Sequence, residues 1–174
     1  MTNPLLDDWL TAFALPPFSD IEDDHFGPAL DQALAEGRAA YGAIADQSEA
    51  PTFANTIAAM ELADQLLDKV AGVFFNLAGA DSTPAREALQ REMAPKFSAY
   101  SSDITNNTAL WQRIKTLWEG RDTLDLGAQE QRVLMLYHRS FTRSGAALQG
   151  ADRDRLTEVK RRALIHSAEP TRPH

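Results

Sequence analysis

The sequence predicts an all-α fold, a helical bundle of about six helices. Three observations predict it. Apolar residues recur at spacings of three and four along most of the chain. Proline, threonine and asparagine stand just ahead of these runs, where helices start. No stretch alternates apolar and polar residues as a half-buried strand would.

The first helix carries Leu30, Ala33, Leu34, Tyr41, Ile44 and Ala45 on one side and Asp31, Gln32, Glu36 and Arg38 on the other. Pro28 is expected in its first turn, where a missing N–H has no partner to lose. "SEAPT", Ser48 to Thr52, is a loop, and the Thr52 hydroxyl caps the next helix. That second helix is expected to run from Phe53 to about Ala78, near the centre of the bundle. Its first half has one polar stripe, formed by Glu61, Asp64, Gln65, Asp68 and Lys69. Its second half, "VAGVFFNLAGA", is apolar almost all round and calls for cover on every face. Val73, Phe74, Phe75 and Leu77 are therefore a candidate interface, closed by another chain or by a second copy.

"ADSTP" breaks the chain, with Thr83 as cap and Pro84 in the first helical position. The third helix extends to about Asp103 with Leu89, Met93, Lys96, Phe97 and Tyr100 on one face, and Pro95 is expected to kink it. "NNT", Asn106 to Thr108, opens a shorter helix bearing Leu110, Trp111, Ile114, Leu117 and Trp118. "EGRDTLDLG" is a loop. From Ala128 another helix sets Val133, Leu134, Leu136, Tyr137 and Phe141 opposite Arg132, Arg139 and Arg143. A last helix is expected from Arg153 to about Ile165. The domain organisation is one helical domain, 1–165, and an unstructured tail, 166–174.

Composition narrows the function. Of 174 residues, 44% are hydrophobic and 24% charged, a globular balance. The net charge of -8 and pI near 4.9 argue against nucleic acid and anionic membrane surfaces as partners. The absence of cysteine excludes disulfides, thiolate zinc sites and a cysteine nucleophile. Val70 to Ala80, the longest apolar stretch, is interrupted by Asn76 and falls short of the ~20 residues a bilayer span needs. With no basic segment leading into an apolar run near Met1, the expected compartment is the cytoplasm.

One stretch invites a metal. "FSDIEDDHF" gathers Asp20, Glu22, Asp23, Asp24 and His25, potential ligands for a hard cation or zinc. The competing reading is a helix start, with Ser19 and Glu22 at capping-box spacing and acids near the positive end of the helix. The run lacks the alternating oxygens and central glycine of a calcium loop, so the helix start is preferred. His138 lies alone on a helix, and His166 and His174 fall at or in the tail. No H-E-x-x-H, G-x-S-x-G, G-x-x-x-x-G-K-[ST] or G-x-G-x-x-G is present. The residues assign no catalytic group, no metal ligand and no cofactor to this chain.

Longer phrases carry a resemblance. "NPLL", "LPPFSDI", "HFGPALDQAL" and "APTFANTIAAMELADQLLDKVAGVFFNLAGAD" occur in that order, followed by "REMAPKFSAY", "LWQRI", "EQRVLMLYHRSFTRSGAAL" and "ADRDRL". Together they resemble the N-terminal region of the thimet-oligopeptidase-like zinc metallopeptidases, in the dipeptidyl carboxypeptidase branch, from Asn3 to about Val159. The resemblance implies a wholly helical region. In the complete enzymes it implies two helical halves facing across a channel, with zinc held in the other half by H-E-x-x-H and a later glutamate. There the motif's glutamate serves as general base, and the N-terminal half restricts substrates to short peptides. None of those ligands has a position in this chain, which is expected to be inactive alone. Its expected partners are a catalytic half or a second copy, the second making it a stand-alone helical interaction module.

Overall fold

The computed structural model describes residues 3–148 together with 155, 156, 158 and 159. The expected last helix, Arg153 to Ile165, falls mostly outside these residues, and the tail wholly so. Among the described residues the fold is all-α with no strand. Five helices of thirteen residues or more make up the bundle: α1 Asp23–Ala45, α3 Gln65–Ala80, α4 Pro84–Thr105, α5 Thr108–Gly120 and α6 Ala128–Arg143. A short α2, Ala59–Ala63, precedes α3 and is itself preceded by a π-helical turn, Phe53–Ala58.

The central element is α1, against the expectation for the second helix. It packs on α2, α3, α4 and α5. Phe26, Ala29, Leu30, Ala33, Leu34, Gly37, Tyr41 and Ile44 form its buried stripe, spaced so that each turn offers one or two apolar groups to the core. It also starts earlier than Pro28 suggested. In a helix the N–H of residue 28 would bond the carbonyl of residue 24, and Asp24 is exposed, where water can take the bond that proline cannot make.

The second expected helix is broken. Asp64 has φ -101 and ψ 12, outside helical geometry, and separates α2 from α3. The Asp64 carbonyl still accepts from Asp68 N–H at 2.8 Å, and its carboxylate takes the side-chain bonds described below. Nor is the end of α3 covered on every side. Val70, Val73 and Phe74 are buried, while Gly72, Phe75, Asn76, Gly79 and Ala80 are exposed. Apart from Phe75, the exposed apolar residues are small, so leaving them in water forfeits little burial.

The caps follow the sequence closely. Thr52 Oγ1 accepts from Asn55 N–H at 3.0 Å while Asn55 Oδ1 accepts from Thr52 N–H at 2.8 Å, a reciprocal box. Thr83 Oγ1 accepts from Arg86 N–H at 3.2 Å ahead of Pro84. Asn107 Oδ1 accepts from Ala109 and Leu110 N–H. Helix α4 runs through Pro95 without a break, so that proline does not end it. Helix α6 closes on Gly145 at φ 91, whose following N–H, from Ala146, reaches back to Phe141 O at 3.0 Å. That is the left-handed C-terminal closure that glycine adopts most readily.

A continuous core joins these elements. Phe26 and Phe74 are fully buried with ring centroids 5.3 Å apart, joining α1 to α3. Leu110, Trp111, Ile114 and Leu117 of α5 face Leu134 and Phe141 of α6. The segment ahead of α1 is tied down as well. Leu5 is fully buried, Asn3 Nδ2 donates to His25 O at 2.7 Å, and Lys69 sits 4.5 Å over the Trp9 ring while donating to Asp7 O.

Candidate functional site

The acidic run is a helix start, though its cap is not the expected one. Ser19 Oγ donates to Asp20 Oδ1 at 3.0 Å and takes no part in a capping box. Glu22 is the capping residue of α1, and its N–H donates to His25 Nδ1 at 3.0 Å. The box has moved three residues along because an imidazole nitrogen can accept as a carboxylate does. Asp23 is held by Arg86 Nε at 2.7 Å and by the Thr83 hydroxyl at 3.1 Å, joining the start of α1 to the start of α4. Only Glu22, Asp24 and His25 converge, with one ligand atom from each lying within 4.8 Å of the others. The His25 nitrogen that caps Glu22 is unavailable to an ion while that bond holds, and the two carboxylates are exposed. Such a set suits a weakly held hard cation better than zinc.

The apolar candidates divide. Val73 and Phe74 are buried inside the bundle, Leu77 is partly buried, and Phe75 is 44% exposed. Phe75 lies edge-on to Phe74 at 5.2 Å and tilts against Phe97 of α4 at 5.9 Å. Phe75 and the partly buried Phe97 are what α3 and α4 offer to the outside here.

The structure adds two polar centres, one half-buried and one buried. At the first, the Asp64 carboxylate accepts from the Tyr41 hydroxyl at 2.8 Å and from the Tyr100 hydroxyl. Burial, then the bond to Asp64, raises both phenol pKa values above their ordinary range, so both keep their protons at neutral pH. At the second, the Arg113 guanidinium donates to Thr56 Oγ1, the Gln47 and Glu49 carbonyls, Gln47 Oε1 and Asn55 Oδ1 at 2.9 to 3.3 Å. A signal for each was present. Tyr41 and Tyr100 sit on apolar faces where a hydroxyl needs a partner, and Arg113 falls on the stripe of Leu110 and Leu117.

His138 is also structural. Its ring stacks on Trp118 at 4.6 Å and lies 5.2 Å from Trp111, and the Arg121 guanidinium lies over the Trp118 ring at 4.4 Å. Burial, then the Arg121 charge, lowers its pKa, which favours the neutral ring. None of these groups pairs a nucleophile with a base at an open position. Among the described residues no helix is long and apolar enough to cross a membrane.

Comparison with known proteins places the chain. It is 34% identical over 155 residues to a protein named dipeptidyl carboxypeptidase from Salmonella typhimurium, covering 89% of this chain and 23% of that protein. A dipeptidyl carboxypeptidase from Escherichia coli is 31% identical over 154 residues, 88% of this chain and again 23% of the relative. Oligopeptidase A from Salmonella typhimurium is 28% identical over 162 residues, 93% of this chain and 23% of the relative. The chain belongs to the N-terminal region of this peptidase family. It spans under a quarter of the length of the curated relatives it matches. No protein-family model matches it. The all-α bundle agrees with what the resemblance implied for this region.

Proposed function

We propose that this chain is a channel-wall portion of a zinc-dependent oligopeptidase or peptidyl-dipeptidase and that it cleaves no peptide by itself. The carrying observation is the extent of the likeness: about nine-tenths of this chain against 23% of each relative, with no H-E-x-x-H in the matched residues. A catalytic zinc needs three fixed protein ligands and an open position for water. The residues present do not fit that requirement. His25 caps α1, His138 stacks on Trp118 and tilts against Trp111, and Glu22 and Asp24 are exposed carboxylates. In this reading the zinc and its general base belong to another part of the enzyme, the substrates are short peptides, and the compartment is the cytoplasm. We assign Phe75, with Phe97 behind it, as the contact toward that catalytic part.

The test is an assay of the zinc-repleted 174-residue chain on short peptides, alongside zinc titration calorimetry. The expected result is no turnover and no tight zinc binding. Chelator-sensitive cleavage that tracks the protein through purification, and disappears in His25→Ala, would overturn the reading. A second reading, a stand-alone interaction module, draws on Leu10, Phe13, Leu15 and Phe18 ahead of α1, all more than half exposed.

A further inference from the structure

Helix α6 carries an unusual face for so acidic a protein. Arg132, Arg139 and Arg143 are exposed, and among the described residues none of them makes an ion pair. Their spacing of seven and four puts them on one stripe. Leu136 lies within that stripe and is 36% exposed. Beside the stripe is an apolar hollow of about 290 Å3, floored by Met60, Ile104, Leu136 and Phe141. It shares Leu136 and Ser140 with a neighbouring hollow that Arg139 and Arg143 line.

The complementary surface lies ahead of α1. Leu10 and Phe13 are 95% and 94% exposed, and Leu15 and Phe18 are more than half exposed. Phe13 and Ala14 adopt φ 60 and φ 51, left-handed values uncommon for residues with a side chain. The Phe13 ring stands in water at this turn. Around the loop, Asp7, Asp8, Asp20, Glu22 and Asp24 are exposed and, among the described residues, make no salt bridge.

These two surfaces cannot meet within one molecule. The acidic residues flank the start of α1, while the hollow reaches Tyr41 near its end. Eighteen residues of helix separate Asp23 from Tyr41, roughly 27 Å. We propose that copies of this chain associate head to tail: the loop Leu10–Phe18 of one copy seats on the α6 face of the next. Phe13 enters the apolar hollow, and the acids around the loop face Arg139 and Arg143. The occupant is a second copy because this chain presents both the apolar group and the opposite charge that the α6 face lacks. Because the two patches differ, the contact is heterologous and does not close at a dimer. Exposed ion pairs add little affinity and are screened by salt, so the association is weak, salt-sensitive and dependent on the apolar insertion.

The experiment is sedimentation velocity of the full chain over a hundredfold concentration range at low and high salt. The expected result is a weight-average mass that climbs past the dimer with concentration and falls with salt. Phe13→Ser, and separately Arg139→Glu with Arg143→Glu, should each be monomeric. Mixed in equal amounts they should give a one-to-one dimer and nothing larger, since one supplies the intact loop and the other the intact face. Phe75→Glu should leave the association unchanged, which separates this contact from the one assigned under the functional reading. A wild-type chain that is monomeric throughout would overturn the proposal. So would single variants that associate like wild type, or a mixture that stays monomeric. Circular dichroism checks each fold, with Phe18→Ser as the second loop variant if Phe13→Ser unfolds.

Discussion

Asp64, half-buried, and Arg113, buried, are charges satisfied in opposite ways. Asp64 is an anion satisfied by two tyrosine hydroxyls, one from α1 and one from α4. Arg113 is a cation satisfied by five neutral oxygens, two of them main-chain carbonyls in the loop between α1 and the π turn. The Asp64 centre ties helices together through side chains. The Arg113 centre fixes the path of a loop that has no regular structure of its own. Both act on what the sequence presents as one long helix: Arg113 grips its opening turn through Asn55 and Thr56, and Asp64 interrupts it eleven residues after Phe53. Helix periodicity registers neither event, because both depend on groups far away in the chain.

The largest effect expected is at Arg113. It is 7% exposed, and a methionine there would fill similar space but remove the donor to Thr56 Oγ1, the Gln47 side chain and the Gln47 and Glu49 carbonyls. Losing hydrogen bonds to a buried charged group and leaving their acceptors unmet costs about 3 kcal/mol in total. For a chain of this size that lowers the thermal midpoint by roughly 6–12 °C. A calorimetric melt of Arg113→Met checks it, and a midpoint within about a degree of wild type would show that the loop keeps its path unaided.

The next effect is at Gly37. A methyl placed there would meet the Tyr100 hydroxyl at 2.0 Å and Asp64 Oδ1 at 3.1 Å. Glycine in mid-helix normally costs ~1 kcal/mol relative to alanine, so on propensity alone Gly37→Ala should stabilise α1. Here the added methyl displaces the tyrosine from its carboxylate, and a hydrogen bond to a charged group is worth ~1.5–3 kcal/mol. The net expectation is a loss of about 1 kcal/mol in urea unfolding, with the slope unchanged. A gain in stability would mean that Tyr100 can move away without loss.

Much of the fold was legible because its signals are local. Thr52, Thr83 and Asn107 cap as their chemistry dictates, and the stripes of α1 and α5 follow the apolar spacing. What stayed hidden was non-local. Asp64 reads as one more residue of a polar stripe until Tyr41 and Tyr100 arrive from other helices. The apolar end of α3 reads as buried all round, because a count of apolar residues gives alanine and glycine the same demand for cover as phenylalanine. Of the four candidate interface residues, Val73 and Phe74 are buried, Leu77 is partly buried and Phe75 is exposed. The acidic run was legible as a helix start, but its cap shifted because His25, and not Glu22, supplies the returning acceptor.

The smallest effect separates the two centres by pH. Tyr41 and Tyr100 have folded pKa values raised above the ordinary 10.0, first by burial and then by Asp64. Tyr137, whose hydroxyl donates to Glu61 at 2.6 Å, is raised for the same two reasons. A raised pKa means the folded state holds protons that the unfolded state has begun to release. The contribution is therefore fully present below about pH 10 and is lost as pH rises beyond it toward the folded values. Wild type should lose stability between pH 9.5 and 11, a range set by roughly the unperturbed tyrosine pKa. Tyr41→Phe should lose less over the same interval, because one of three linked groups has been removed. Its stability at neutral pH also falls, so the comparison rests on the slope with pH. Arg113→Met should keep the wild-type slope from its lower starting point, since arginine does not titrate below about pH 12. Urea midpoints measured at half-unit steps decide it. Parallel curves for wild type and Tyr41→Phe would show that Tyr41 is not linked to folding in this way. A flattened curve for Arg113→Met would show that the two centres are one coupled network.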